Sequence, residues 1–172
     1  MTLFAVTVIG NDRPGIIADA TAALARLGGN LEDSTMTILR GHFAMVLLVS
    51  ADAARSDVES GLSPLEDDGT LLVSVREVPQ EYDVAAPGAP YLLSVHGADR
   101  PGIVSAITAE VAGAGGNVTD LSTRLTGDLY VLLAEVDLPG SADVEGLSRR
   151  LREVADGLGV DVSLRPVDSD LM

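Results

Sequence analysis

One short segment with the makings of a binding loop occurs twice in this chain. Gly10-Asn11-Asp12-Arg13-Pro14-Gly15-Ile16 returns 87 residues later as Gly97-Ala98-Asp99-Arg100-Pro101-Gly102-Ile103. Each copy lies between an apolar run and an alanine-rich stretch. A loop that leads into a helix presents free backbone N–H groups, which favour an anion such as a carboxylate. Asp12 and Asp99 can accept hydrogen bonds from those amides, or they can hold an ammonium group. A negative side chain beside positive backbone ends suits the zwitterionic head of an amino acid. The same residues also read as a plain helix start, with Asp12 as the cap and Pro14 fixing φ. Both readings stand on the residues alone.

Other chemistry finds less support. Gly10-x4-Gly15 matches the opening of a phosphate loop, but Ile16 and Ile17 occupy the places of the Lys and Ser/Thr that would bind phosphate and magnesium. No Gly-x-Ser-x-Gly elbow occurs. His42 and His96 are single, unrepeated and without other ligands at metal spacing, so they read as structural or solvated. The Asp67-Asp68 pair reads as a solvated loop. No nucleophile, base and orienting group fall at a recognisable spacing. The expectation is a protein with no catalytic residues, metal or cofactor.

The elements that must position the loops follow from periodicity. Leu3 to Ile9 is apolar on both faces, as a central strand is. Pro14 is expected in the first turn of a helix. Ile16, Ile17, Ala20, Ala23, Leu24 and Leu27 form one apolar stripe, closed by Gly28-Gly29. Strands are expected at Asn30 to Leu39 and Phe43 to Ser50, a helix at Asp52 to Leu65, and a strand at Thr70 to Val78. The second half repeats the order with a strand at Tyr91 to His96, a helix at Pro101 to Ala114, strands at Asn117 to Thr126 and Leu129 to Val136, a helix at Ser141 to Leu158 and a strand at Val160 to Val167. The fold class is therefore α+β, two tandem ferredoxin-like βαββαβ domains with antiparallel four-stranded sheets. The expected limits are 1–78 and 91–168, with a Pro/Gly-containing linker at 79–90 and a tail at 169–172.

Composition narrows the class further. The chain has 172 residues, a net charge of −15 and no cysteine. An acidic chain with few aromatics lacks the basic stripe and stacking platform of a nucleic-acid binder. No apolar run approaches the length of a membrane span. The N-terminus has no basic n-region, so no signal peptide is expected. With no disulfide possible, the composition fits a cytoplasmic protein.

The loop, the Gly-Gly-Asn element at Gly28-Gly29-Asn30 and Gly115-Gly116-Asn117, and the βαββαβ order together resemble the ACT domain, a small-molecule regulatory module. A stand-alone pair of such modules resembles the glycine cleavage system transcriptional repressor group. The resemblance implies modules that pair side by side and bind an amino acid at the seam. The ligand would touch the strand-to-helix loop of one module and the start of the second strand of its neighbour. On this chain those positions are Asn11, Asp12, Arg13, Pro14, Gly15 and Ile16 with Asn117, and Ala98, Asp99, Arg100, Pro101, Gly102 and Ile103 with Asn30. Many amino-acid-binding members carry Asn where this chain has Asp12 and Asp99. A carboxylate there attracts the ligand amine and repels its carboxylate. The implied partners are a small amino-acid ligand, further copies of the chain in a homo-oligomer, and a regulatory target protein. A ligand-free interaction or dimerisation module is the alternative.

Overall fold

The computed structural model describes residues 1–81 and 88–167. The chain divides into two compact units, Met1–Tyr82 and Asp83–Met172. Half of the expected linker (82–87) and all of the expected tail lie outside the described residues. The linker reading is corrected at its C-terminal end. Ala89 and Pro90 already belong to a strand.

In the first unit, alternation of apolar residues makes β1 (Thr2–Asn11), with Phe4, Val6 and Val8 fully buried and Ala5, Thr7 and Ile9 only partly so. Helix α1 (Ile16–Arg26) lays Ile16, Ala20, Ala23 and Leu24 on that buried face. Strands β2 (Asn30–Leu39) and β3 (His42–Ala51) form a hairpin. Its two-residue turn places Arg40 at φ 50 and Gly41 at φ 82, the left-handed pair that matches strand twist. Helix α2 (Arg55–Leu62) adds Val58 and Leu62 to the core, and β4 (Leu71–Val78) completes the unit. Each of the larger apolar side chains buried this way stabilises the fold by about 1.5–3 kcal/mol.

The second unit repeats the plan with β5 (Ala89–Ala98), α3 (Ile103–Gly113), β6 (Asn117–Thr126), β7 (Leu129–Leu138), α4 (Val144–Leu158) and β8 (Val160–Pro166). The sheet orders are β2-β3-β1-β4 and β6-β7-β5-β8, antiparallel throughout. The central position expected for β1 is observed. Strands β2 and β6 are edges, and each carries a register shift near its start, at Leu31/Asp33 and Val118/Asp120.

Both Gly-Gly pairs end their helices by the same device. Gly28 N–H donates to Ala25 O and Gly29 N–H to Leu24 O, and Gly115 and Gly116 do the same to Ala112 and Val111. This is the Schellman closure of a helix on a left-handed glycine.

Several boundaries differ from expectation. Helix α1 begins at Ile16, so Pro14 stands in the turn before it. Left-handed Gly15 (φ 92) intervenes as the N-cap, and Pro14 cannot continue a helix across it. The second helix begins at Arg55 and gives way at Ser63 to a 3₁₀ turn, Ser63–Glu66, because Pro64 lacks the N–H that an α-helix needs. Helix α4 begins at Val144 because Asp143 caps it, accepting from Gly146 N–H at 2.9 Å.

Candidate functional site

The first copy of the loop is held in place by backbone. At the end of β1, Asn11 N–H donates to Thr70 O (3.0 Å) and Asp12 N–H to Gly41 O (2.9 Å). The first bond ties the loop to the start of β4, the second to the β2–β3 turn. Gly10, with φ 149, lies so close to β4 that a Cβ would meet the Thr70 carbonyl and sit 2.9 Å from Leu71 Cα. Gly97 approaches β8 less tightly, where a Cβ would sit 2.9 Å from Val160 Cγ1 and 3.0 Å from its Cα. Both glycines therefore serve the approach of a neighbouring strand.

The helix starts are left open. Gly15 and Gly102 occupy the N-cap at φ 92 and 89, and neither cap supplies a side-chain hydrogen bond. The first intrahelical bonds are Asp19 N–H to Gly15 O and Ala106 N–H to Gly102 O. The preceding N–H groups of each helix have no intrahelical acceptor, as geometry requires. Asp12 and Asp99 do not fill that role, so the capping alternative is overturned. A glycine N-cap leaves the aspartate four residues ahead of the first helical residue. Anion-favouring N–H groups and a nearby carboxylate remain side by side.

Each loop lines a hollow. The first, about 500 Å³, is walled by Asp12, Arg13, Gly15 and the start of α1, and closed by Met36, Ile38 and Phe43. The second, about 300 Å³, is walled by Asp99, Arg100, Gly102, Ile103, Val104 and Ser105, with Tyr130 in the place of Phe43. The β-strand residues escaped the sequence reading. The signal for them is the hairpin register, which sets Phe43 opposite Gly10 and Tyr130 opposite Gly97. Once that register is known, the far end of the hairpin must return to the loop. Ile16 and Ile103 are core residues, almost wholly buried, and form the floor of the hollows.

The two hollows are not equivalent. Arg13 Nη1 contacts Asp19 Oδ2 at 3.1 Å and donates to Pro14 O at 3.3 Å, which fastens it over the first turn of α1. Ala106 replaces Asp19 in the second unit, and Arg100 lies instead beside Gly159. The second hollow is more polar, with the Tyr130 hydroxyl and with Ser105 Oγ donating to Gly102 O at 3.1 Å.

Asn30 and Asn117 do not join their own unit's loop. Each begins its edge strand, opposite Ser50 and Asp137, whereas the loop sits at the other end near His42 and Leu129. At about 3.4 Å per strand residue these ends are roughly 25–30 Å apart. A site that contains both an asparagine and a loop needs two units. Asn11, Pro14, Ala98 and Pro101 shape the loops without lining the hollows. Among the described residues no cluster of His, Asp and Glu could hold a metal ion, and no helix is long and apolar enough to cross a membrane.

Comparison with known proteins agrees with this fold. A family model described as the ACT domain matches residues 2–76 and 90–165. A UPF0237 protein of Methanopyrus kandleri is 51% identical over 61 residues, covering 36% of this chain and 66% of that relative. A UPF0237 protein of Methanocaldococcus jannaschii is 36% identical over 84 residues, 49% of this chain and 92% of the relative. Among solved structures, an unknown protein from Galdieria sulphuraria is 32% identical with a TM-score of 0.84, over 97% of this chain and 99% of that one. A structure named for a glycine cleavage system transcriptional repressor shares the fold, with a TM-score of 0.74, 18% identity and 98% coverage of both chains.

Proposed function

The chain belongs to the ACT domain family, whose modules are regulatory and bind amino acids, and on that premise we propose that it is a non-enzymatic regulatory protein that senses a small amino acid. The ligand binds where two ACT units pair, drawn from one chain or from two. Its carboxylate faces the open N–H groups at the start of α1 or α3, and its amine faces Asp12 or Asp99. Asn117 or Asn30 of the neighbouring unit closes the site, since an amide donates to a carboxylate and accepts from an ammonium. Binding favours one pairing geometry, and a target protein reads the difference.

The observation that carries this reading is the pair of hollows at helix starts that no side chain caps. The test is thermal melting of the chain with each standard amino acid in turn. A ligand at about 100 times its dissociation constant adds about 2.7 kcal/mol of stability. The shift is expected with one amino acid or a small related group, and Asp12→Ala combined with Asp99→Ala should abolish it. Melting unchanged by every amino acid would favour the alternative, a ligand-free interaction module, which the two fully or largely exposed edge strands β2 and β6 would equally serve.

A further inference from the structure

At the opposite edges of the two sheets the units differ in a way the repeat makes legible. In the first unit a groove between α2 and β4 is lined by Arg55, Glu59 and Glu66. Glu66 Oε1 accepts from the N–H of Val73 at 2.9 Å, so the chain's own carboxylate satisfies the outward-facing donor of an edge strand. Arg55 is engaged by Glu59 at 2.7 Å.

The second unit keeps the register and loses the carboxylate. Val162 stands opposite Val95 as Val73 stands opposite Val8. Val167 N–H donates inward to Pro90 O at 3.0 Å. Donors alternate sides along a strand, and the β5–β8 ladder has no bulge, so Val162 N–H faces outward. Helix α4 runs unbroken to Leu158, and no 3₁₀ turn follows to bring in an acid. The corresponding groove, about 370 Å³, is lined by Ser148, Leu151, Arg152, Val162 and Arg165.

The charge that lines this groove runs against that of the chain, since it holds Arg152 and Arg165 and no acidic side chain. All eleven cationic side chains are arginines, and Arg149, Arg150, Arg152 and Arg165 lie on α4 and β8 together with Glu145, Glu153, Asp156 and Asp161. Arg150 is paired with Glu110 at 3.0 Å. The other three form no ion pair among the described residues. A chain of net charge −15 thus presents two unpaired arginines, Arg152 and Arg165, in a groove along an open strand edge.

We propose that the groove between α4 and β8 docks an extended acidic segment of a partner protein, one carboxylate of which takes the Val162 N–H as Glu66 takes that of Val73, facing Arg152 and Arg165. The occupant is a polypeptide because the outward backbone groups continue along β8 on either side of Val162, and because the first unit shows a polypeptide carboxylate in the equivalent place. Opposite charge supplies steering and specificity.

The test uses the full chain and a fluorescein-labelled, end-capped peptide, Ser-Val-Glu-Val-Glu-Val-Ser, with a control in which Gln replaces both Glu residues. Fluorescence anisotropy should show binding that weakens about tenfold or more with the Gln peptide, and likewise with the Arg152→Gln/Arg165→Gln double variant or in about 0.5 M salt. Arg55→Gln, in the other groove, should leave it unchanged. The Val162 amide resonance should shift on titration. Both substituted arginines are exposed, so matching melting curves confirm that the double variant folds. Equal binding of both peptides, no binding at millimolar peptide, or full competition by glutarate alone would overturn the proposal. So would sedimentation showing that a second copy of the chain fills the groove and leaves when the arginines are replaced. The amino-acid response resides at Asp12 and Asp99, so either proposal can fail while the other stands.

Discussion

Arg13 and Asp19 meet at 3.1 Å across the first turn of α1, and the second unit has no equivalent contact because Ala106 stands in the place of Asp19. Two loops of nearly the same sequence are therefore held differently. The pair is solvated, with the two side chains 35% and 56% exposed, so it contributes little to stability. Asp19→Ala should change unfolding free energy by no more than about 1 kcal/mol. It should alter ligand affinity at the first site and leave the second unchanged, which calorimetry on the single variant and on Asp19→Ala/Asp99→Ala would resolve.

The two kinds of glycine separate cleanly in their demands. At Gly10 a Cβ would collide with the backbone of Thr70 and Leu71, in addition to the strain of φ 149. Gly10→Ala should cost about 3 kcal/mol or more, since neither backbone can yield easily. At Gly28 nothing lies within 4 Å of the added carbon, and only the left-handed φ of 70 opposes it. Gly28→Ala should cost about 1–2 kcal/mol. Urea unfolding of both variants checks the difference.

Met36 closes the first hollow from an exposed position on the edge strand. Met36→Arg should leave the melting temperature of the free chain within a few degrees, as surface changes of about 0.5 kcal/mol do. It should remove the amino-acid response of the first site by filling the space and by placing a cation against the ligand amine. An undiminished response would exclude this hollow as the binding place.

Asp68 offers a pH test. Its carboxylate accepts from the Thr70 hydroxyl (2.6 Å) and the Thr70 N–H (2.8 Å). The hydroxyl bond foremost, then the backbone bond, holds its pKa below the ordinary value. Hydrogen bonds to the charged form stabilise the folded chain above the unfolded-state pKa, near pH 4, and that contribution fades as pH falls through the lower folded value. Thr70→Val removes the hydroxyl donor and should raise the Asp68 midpoint towards the ordinary value in a carboxyl NMR titration.

Helix α4 depends on one cap. Asp143 accepts from Gly146 N–H at 2.9 Å, so Asp143→Ala should destabilise the chain by about 1 kcal/mol. The loss should appear in urea melts as a lower midpoint with an unchanged slope.

The sequence by itself determined the repeat, the strand and helix order and the glycine helix ends. These are local matters, set by apolar periodicity and by residues that tolerate left-handed backbone. Phe4, Val6 and Val8 mark the central strand, and Gly28 marks where α1 must stop. The family resemblance was legible for the same reason, since the motif is contiguous in the chain. Tertiary structure alone decided which residues meet the loop. Met36, Ile38 and Phe43 are brought to Asp12 by strand register, and register is a contest among pairings that no single segment encodes. It also decided that Asp12 caps nothing, because the left-handed Gly15 takes the capping position. The exchange of Glu66 for open space beside Val162 was equally invisible, since it follows from one helix breaking at Pro64 while its repeat runs on to Leu158.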